Sequence, residues 1–356
     1  MNKYLNPDLY FLNNMGITFM PKISVLMPAF NSEKYIKEAI ESILSQTFHD
    51  FELIIINDGS TDSTEKIILS YKDTRINYLK NETNLGLIST LNKGINICQG
   101  EYIARMDADD ISHTDRFNRQ VHFLDENPDI GLCGTWIYLF RNKNIEIKEE
   151  IKNTTNQDEI VEDMLLYNQI GHPTVMFRKS ILENGRFNYN SSYKHAEDYK
   201  LWTDIIQVTK IANLPEFLLY YRIHNENISI KYIQEQIDIS NKIKKEYLES
   251  LIGHIVTQVD FDVLFDNKPT KLRSQTITLI DELVDYCNIK NPHGTRFHSF
   301  LIQEFTNILV HVSFLKIPMN TYFSKLFRSL PLNKKVYLLI KNVYNTVSVL
   351  IKGKKL

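Results

Sequence analysis

Residues 23–62 read ISVLMPAFNSEKYIKEAIESILSQTFHDFELIIINDGSTD, and this stretch decides the fold class. The apolar run ISVLMP ends at a proline, which is typical of a short buried strand. The following SEKYIKEAIESILSQ repeats isoleucine at helical spacing, so it predicts a helix with Ser32 as its N-cap. The run FELIIIN predicts a second buried strand. The order strand, helix, strand indicates a βαβ unit.

The alternation continues to residue 106. A helix with Asp62 as its N-cap precedes a third strand at residues 76–81, and LGLISTLNKGINICQG predicts a helix before a fourth strand at residues 101–106. Short connections between alternating elements require right-handed crossovers. The sequence therefore predicts an α/β fold with a mainly parallel sheet and helices on both faces.

Beyond residue 110 the order is less regular. A helix capped by Thr114 is followed by strands and helices, with a polar excursion at residues 141–157. The expected elements are a helix at 112–128, a strand at 130–140, a helix at 157–169, a strand at 173–179, a helix at 195–207 and a strand at 217–224. From about residue 230 the pattern is helical. We expect an N-terminal extension at 1–21, a catalytic domain at 22–230 and a helical region at 231–356.

Composition excludes several classes of protein. The formal net charge of −2 gives no sign of a nucleic-acid-binding surface. The three cysteines, Cys98, Cys133 and Cys287, are far apart and lack zinc-site spacing, which favours a reduced, cytoplasmic chain. The N-terminus lacks the pattern of a signal peptide, and no apolar run is long enough to predict a transmembrane helix.

Polar and acidic residues follow each of the first four predicted strands. The segments are PAFN, NDGS, NETNLG and DADD, ending at residues 31, 60, 86 and 110. Because the carboxyl ends of parallel strands meet at one edge of a sheet, the four loops are expected to form one site.

The DADD segment, residues 107–110, has two interpretations. A lone pair of aspartates in a loop is usually a solvated acidic turn. In an extended segment, however, Asp107 and Asp109 point the same way, and two carboxylates suit Mg²⁺ or Mn²⁺. The position at the binding edge of the sheet favours the cation.

Three further groups carry candidate chemistry. Asp58 follows a buried strand and precedes a glycine, so its carboxylate could accept from a base or a ribose hydroxyl. Glu197 and Asp198 begin a helix, where they are either ordinary N-terminal acids or a general base. Arg222 and His224 share a strand face, where they would suit a diphosphate or a metal ion, although a lone histidine is more often structural.

Six segments together resemble a family 2 glycosyltransferase of the GT-A fold, in that family's order and spacing. They are residues 23–62 with NETNLGLISTLNKGI, GEYIARMDADD, GHPTVMFRKS, HAEDYKLW and YYRIHNENIS. The resemblance covers roughly residues 22–230. It implies transfer of a hexosyl or N-acetylhexosaminyl group from a nucleotide diphosphate donor to an acceptor hydroxyl, with inversion at the anomeric carbon.

The resemblance also implies roles for matching residues. Asp109, Asp107 and His224 would hold Mn²⁺ or Mg²⁺, Asp198 would be the catalytic base with Glu197 beside it, and His172 would lie on the acceptor side. The donor would contact Pro28, Ala29, Asn31, Glu33, Asp58, Asp107 and Arg222. Asn57 stands where many members carry an aspartate, and Asp110 is an additional acid beside the metal motif.

The leading hypothesis is an inverting, metal-dependent transferase that uses a UDP-sugar and a glycan or lipid-linked glycan acceptor in surface polysaccharide synthesis. A sugar nucleotidyltransferase or a Rossmann dehydrogenase would need a glycine-rich loop after the first strand, and PAFNSE is not one. A non-catalytic scaffold of a polysaccharide assembly is the remaining alternative. The lysine-rich residues 331–356 are compatible with either a helix at the inner face of a membrane or a helix packed on its own domain.

Overall fold

The computed structural model describes residues 20–141, 146–182, 187–265, 274–290 and 300–301. Most of the expected N-terminal extension and all of residues 331–356 lie outside these ranges, so the membrane-helix hypothesis falls on residues that are not described. No helix of the described ranges has the length and apolar character needed to cross a membrane.

One nine-stranded sheet organises the described chain. Its strands are β1 (Ile23–Ala29), β2 (Phe51–Asn57), β3 (Ile76–Lys80), β4 (Tyr102–Arg105), β5 (Ile111–Ser112), β6 (Ile130–Arg141), β7 (Glu146–Ile151), β8 (Met176–Arg178) and β9 (Lys210–Arg222). The strand order is β3-β2-β1-β4-β8-β6-β9-β5, with β7 paired to β6.

Helices connect the strands and continue beyond the sheet. They are α1 (Ile36–Leu44), α2 (Thr64–Leu69), α3 (Leu87–Ile95), α4 (Arg116–Glu126), α5 (Gln157–Asp163), α6 (Glu197–Ile205), α7 (Ile228–Lys231), α8 (Ile233–Ile252), α9 (Gln258–Phe265) and α10 (Ser274–Lys290). Short 3₁₀ turns lie at His172–Thr174, Lys179–Ile181 and Ser191–Tyr193.

The first four strands form the parallel half of the sheet. β1 pairs in parallel with β2 and β4, and β2 pairs in parallel with β3. β1 is buried along its whole length and β2 nearly so, as expected for strands covered on both faces. Pro28 lies in β1 opposite Ile56 of β2, whereas the pairing of β1 with β4 ends at Leu26 and Arg105.

The second half of the sheet is mixed rather than parallel. β8 runs antiparallel to both β4 and β6, β5 runs antiparallel to β9, and only the β6–β9 pair is parallel. The α/β class is confirmed, and the parallel arrangement applies to the half built from strand–helix alternation. The core packs Ile and Val side chains of β1 and β2 against α1 and α4, with Phe117 and Leu124 fully buried.

Two N-cap expectations were wrong. α1 begins at Ile36, and the Ser32 hydroxyl donates to the carbonyl oxygen of Phe30 and caps no helix N–H. α4 begins at Arg116 with Asp115, not Thr114, at the N-cap. The polar excursion at 141–157, expected to be an extended segment or a loop, contains the strand β7, whose backbone pairs with β6 while most of its side chains are exposed.

The α2 helix also begins later than expected. Its N-cap is Ser63, although the Asp62 carboxylate still accepts the backbone N–H of Thr64 at 2.9 Å. Such a side chain-to-backbone contact holds the turn that leads into the helix.

The chain divides into two compact units. One contains the described residues of 1–160 and 168–243, and the other those of 161–167 and 244–356. The first unit holds the whole sheet, and the described part of the second is helical. The division falls inside α8, so the domain boundary expected at residue 230 stays a prediction.

Candidate active site

The loops after β1 and β2 are joined by reciprocal hydrogen bonds. The Asn31 side-chain oxygen accepts the backbone N–H of Thr61 at 2.9 Å. The backbone N–H of Asn31 in turn donates to the Ser60 hydroxyl. Glu33 accepts the N–H of Ser63 at 2.9 Å. Asn31 adopts a left-handed backbone (φ 48°), which asparagine tolerates better than most residues. Asn31 and Glu33 therefore shape one rigid polar edge, next to the buried Pro28 and Ala29 of β1.

Asp58 fastens a third loop to this edge. Its two carboxylate oxygens accept the backbone N–H groups of Leu85 and Gly86 and the amide of Asn81, at 2.7–2.9 Å. Gly59 beside it has φ +72°, and a Cβ there would lie 2.6 Å from the carbonyl carbon of Thr83. The loops after β2 and β3 are thus packed backbone to backbone, and this close approach requires glycine.

The carboxylates of Asp107, Asp109 and Asp110 lie together after β4. Ligand oxygens from all three fall within 4.8 Å of one another. Asp110 is 1% exposed; one of its oxygens accepts the backbone N–H of Arg222 at 2.8 Å, and the other has no hydrogen-bond partner among the described residues. Burial and the neighbouring Asp109 and Asp107 charges raise the pKa of Asp110 well above its usual value. Three hard oxygen ligands, one of them unsatisfied, fit a Mg²⁺ or Mn²⁺ ion.

Arg222, the last residue of β9, and His224, two residues beyond it, contact this cluster. The buried Arg222 guanidinium donates to the carbonyl oxygen of Asp109 and to the Glu38 carboxylate of α1, each at 2.7 Å. It also stacks over the rings of Tyr35 and Phe140. These contacts fix the turn that presents Asp109 and Asp110.

His224 contacts Asp109 directly. Its Nε2 lies 2.8 Å from the Asp109 carboxylate, and its Nδ1 accepts the backbone N–H of Glu226 at 3.3 Å. With Nδ1 accepting, the ring proton is on Nε2, which therefore donates to Asp109. In this tautomer Nε2 cannot ligate a metal ion; ligation needs the tautomer with the proton on Nδ1.

Arg105, the last residue of β4, is a site residue that the sequence reasoning missed. Its guanidinium is 3% exposed and forms an ion pair with Asp107. Burial raises the pKa of Asp107, and the charge of Arg105 opposes that rise. The only sequence signal was its place, two residues before Asp107 on a strand that is otherwise apolar.

Glu197 and Asp198 form a second acidic pair, in the first turn of α6. Asp198 accepts a hydrogen bond from the Asn168 amide at 2.9 Å. Glu197 is 6% exposed, and its Oε2 has no hydrogen-bond partner among the described residues. Burial, with the Asp198 charge adding to it, raises the pKa of Glu197 to about 7, and burial raises that of Asp198 in the same direction. A carboxylate with such a pKa is suited to exchanging a proton near neutral pH.

His172 contacts α6, the helix that begins with this pair. Its Nε2 is 2.8 Å from the Tyr189 hydroxyl, and its ring meets the edge of Trp202 in α6. Burial lowers the pKa of His172 well below its usual value, so the ring is neutral. Tyr189 itself is pinned by Asn92 of α3, which exchanges two hydrogen bonds with the Tyr189 backbone. Tyr189 and Asn168 carried no motif, and Asn92 lay in a motif segment without an assigned role, so only the fold brings the three together here.

Comparisons with known proteins agree with this geometry. The sequence model of the family described as Glycosyl transferase family 2 matches residues 24–185. A protein of Haemophilus influenzae described as an uncharacterized glycosyltransferase is 36% identical, over 66% of this chain and 76% of its own length. The Escherichia coli UDP-Glc:α-D-GlcNAc-diphosphoundecaprenol β-1,3-glucosyltransferase WfaP is 33% identical, over 63% of this chain and 86% of its own.

Solved structures share the fold at lower identity. Residues 1–349 of Staphylococcus aureus TarS, in a complex with UDP-GlcNAc, superpose with a TM-score of 0.53 and 19% identity, over 91% of this chain and 89% of that one. This likeness confirms the GT-A fold expected from the resemblance. The family match and the identity to relatives covered over most of their length establish that the chain is a glycosyltransferase and belongs to glycosyltransferase family 2.

Proposed function

We propose that the protein is an inverting, metal-dependent glycosyltransferase that moves a hexosyl or N-acetylhexosaminyl group from a UDP-sugar to a hydroxyl of a glycan or lipid-linked glycan. The observation that carries this proposal is the presence of two separate acidic groups: the Asp107–Asp109–Asp110 cluster and the Glu197–Asp198 pair. Inversion needs one metal-binding group for the departing diphosphate and one base for the acceptor.

The donor side is assigned to the edge formed by the loops after β1, β2 and β4. Pro28, Ala29, Asn31 and Glu33 line the nucleoside, and Asp107 lies toward the ribose. Asp58 can accept from the base, because a carboxylate has more acceptor sites than the three hydrogen bonds it already receives.

The metal ion would be held by Asp109 and Asp107, with His224 as a further ligand in its other tautomer. When bound, Mn²⁺ or Mg²⁺ supplies positive charge to the departing diphosphate. Arg222 already contacts the backbone of Asp109, so its guanidinium is a fixed positive charge that would also stabilise the departing diphosphate.

The acceptor side is assigned to α6 and His172. Asp198 is the proposed base: the Asn168 amide orients its carboxylate, which takes the proton of the attacking hydroxyl. Glu197 lies beside it. The negative charge of Asp198 makes ionisation of Glu197 less favourable, so it raises the pKa of Glu197. The neutral His172 can position the acceptor through a hydrogen bond without competing for its proton.

The name of WfaP supports a UDP-sugar donor and a lipid-diphosphate-linked acceptor, and such an acceptor would suit the synthesis of a surface polysaccharide. Such an acceptor suits a protein working in the cytoplasm at the inner face of the membrane. We infer no nucleic-acid partner from the net charge of −2.

A donor screen tests the proposal. The full chain with Mn²⁺, a GlcNAc-diphospho-lipid and a panel of nucleotide sugars should release UDP from one UDP-sugar. If calorimetry with Mn²⁺ shows binding of GDP but not of UDP, the UDP assignment is wrong. Binding of UDP without transfer to any acceptor, and without donor hydrolysis, would favour the scaffold alternative.

A further inference from the structure

His195 has a strained backbone immediately before the acceptor-side acids. Its φ is 74°, and in the part of the chain that the structure describes Asn31 is the only other non-glycine residue with a positive φ. Asparagine and histidine tolerate this left-handed region better than most residues, but the conformation persists only where the surrounding structure holds it. Because Asn31 shapes the donor edge, we looked for a matching role of His195 at Glu197 and Asp198.

The left-handed turn brings backbone N–H groups onto the Glu197 carboxylate. This carboxylate accepts hydrogen bonds from the N–H of His195 and from its own N–H. Nearby N–H groups converge on one anion in this way when the backbone between them turns through a left-handed residue. The other oxygen, Oε2, has no hydrogen-bond partner among the described residues. The orientation of the Glu197 carboxylate therefore depends on the backbone of His195.

Two residues at the junction of α7 and α8 hold His195 in this conformation. Its imidazole stacks on the Tyr232 ring, with the ring centroids 4.2 Å apart and the ring planes 9° from parallel. The Gln236 amide donates to the carbonyl oxygen of His195 at 2.8 Å. The His195 Nε2 is 3.5 Å from the exposed Glu235 carboxylate and has no hydrogen-bond partner among the described residues, so the ring is held mainly by stacking.

The peptide group between His195 and Ala196 is fixed at both ends. Gln236 binds its carbonyl oxygen, and its N–H donates to the carbonyl oxygen of Tyr193 at 3.0 Å. The helix α6 begins at the next residue, and its first turn carries both acids. A movement of this peptide group would therefore move the start of the helix that presents Glu197 and Asp198.

We propose that His195 is a positioning residue for the acceptor-side acids. Its left-handed backbone orients the Glu197 carboxylate next to the proposed base Asp198, and a clamp formed by Tyr232 and Gln236 keeps the backbone in that conformation. This inference rests on the proposed role of Asp198, and it adds the residue and the helix junction on which the geometry of the base depends.

The first test releases the clamp at a distance from the acids. Gln236→Leu removes the hydrogen bond to the His195 carbonyl oxygen, and kcat should fall by about tenfold because a displaced base loses its orientation. The dissociation constant of UDP with Mn²⁺ should stay within about twofold of the wild-type value, whereas a general structural defect would weaken both. Gln234→Leu is the matched control, because Gln234 lies on the same helix and its amide donates to the exposed Asp238.

The second test separates the backbone of His195 from its ring. His195→Ala and His195→Asn both remove the ring, but asparagine tolerates a left-handed backbone and alanine does not. We expect kcat to fall by about tenfold or more in His195→Ala and by less in His195→Asn. Thermal unfolding verifies that each variant is folded; if His195→Ala is not, the comparison of Gln236→Leu with Gln234→Leu decides.

The titration of Glu197 gives a readout that needs no substrate. Carbon-13 NMR of glutamate-labelled protein follows its carboxyl group, which is assigned by its absence in Glu197→Gln. Burial raises the pKa of Glu197 to about 7, and the His195 N–H opposes that rise by stabilising the ionised form. In His195→Ala the titration midpoint should therefore move upward by about 0.5 pH units or more.

A wild-type kcat in folded His195→Ala overturns the proposal, as does equal loss of kcat in His195→Ala and His195→Asn. An unchanged Glu197 midpoint, or the same kcat in Gln236→Leu and Gln234→Leu, overturns it as well. Failure of the proposed function is a different result: the wild type would then transfer no sugar, whereas the titration midpoints of the wild type and His195→Ala would still differ.

Discussion

The Nε2 atom of His224 lies 2.8 Å from the carboxylate of Asp109, although 115 positions separate them in sequence. The contact joins the turn after β4 to the end of β9, and Arg222 reinforces it through the carbonyl oxygen of Asp109. Asp109 is therefore held in place before any cation arrives. A preorganised ligand loses little conformational entropy on binding.

Asp109→Asn should weaken Mn²⁺ binding by about tenfold or more, because the amide keeps the size of the carboxylate but not its charge. Calorimetric titration of Mn²⁺ in the presence of UDP measures the effect. The control is Asp129→Asn, an exposed aspartate paired with Lys210. Equal Mn²⁺ affinity in the two variants would mean that Asp109 does not bind the metal ion.

Asp198→Asn should lower kcat by about a hundredfold or more, since general base catalysis contributes this much in many enzymes. The dissociation constant of UDP with Mn²⁺ should stay within about twofold of the wild-type value, because Asp198 is assigned to the acceptor side. Paired measurements of UDP release and UDP binding distinguish the two effects. A large loss of UDP affinity would contradict the assignment.

Glu197 should make the protein less stable as the pH rises. Its folded pKa of about 7 lies above the ordinary value of 4.5 for a glutamate, so the folded state binds the proton more tightly than the unfolded state. The stabilisation is complete below pH 4.5 and is lost as the pH rises to about 7, with a total of roughly 3 kcal/mol.

Urea unfolding at pH 5 and pH 8 measures this contribution, with Glu197→Gln as the comparison. The variant cannot titrate at this position, so its free energy of unfolding should decline less between the two pH values. Parallel pH dependence in the two proteins would show that Glu197 titrates near its ordinary value.

Gly59→Ala should destabilise the protein more than Gly86→Ala does. Both glycines have a positive φ, +72° and +85°, and an alanine at either position is strained by about 1–3 kcal/mol. Only at Gly59 would the new Cβ also meet backbone atoms, at 2.6 and 2.7 Å in Thr83 and Asn84, whereas nothing lies within 4 Å at Gly86.

The free energies of unfolding and the UDP affinities of the two alanine variants should therefore differ, with Gly59→Ala the lower in both. Equal destabilisation would mean that the loops after β2 and β3 can move apart without a loss of stability.

The sequence predicted those parts of the site that follow from strand alternation. Asp107, Asp109 and Asp58 each come directly after a strand of the parallel half, so their shared edge follows from topology alone. The mixed half was less predictable. The sequence of β7 predicts only an extended excursion or a loop, because the strand is defined by backbone pairing with β6 and not by an apolar pattern.

Residues that act through long-range contacts could not be found from local sequence. Asn168 lies in a segment without any motif, and its significance comes from its hydrogen bond to Asp198, which is 30 positions away and is reached only through tertiary packing. Ser32 illustrates the opposite error: the residue type suits a helix cap, but its hydroxyl found a nearer partner in Phe30.

Pro28 limits the hydrogen bonding between β1 and β4. The carbonyl groups of Lys22 and Leu26 accept from β4, whereas the groups of Ile23 and Ala29 bond on the β2 side, so alternate residues of β1 face alternate neighbours. By that alternation the nitrogen of Pro28 faces β4, and a proline nitrogen has no hydrogen to donate. The last hydrogen bond of this ladder runs from the N–H of Met106 to the carbonyl oxygen of Leu26, and beyond it Pro28 has no N–H to donate. One absent N–H thus ends the pairing of the two strands next to the acidic cluster.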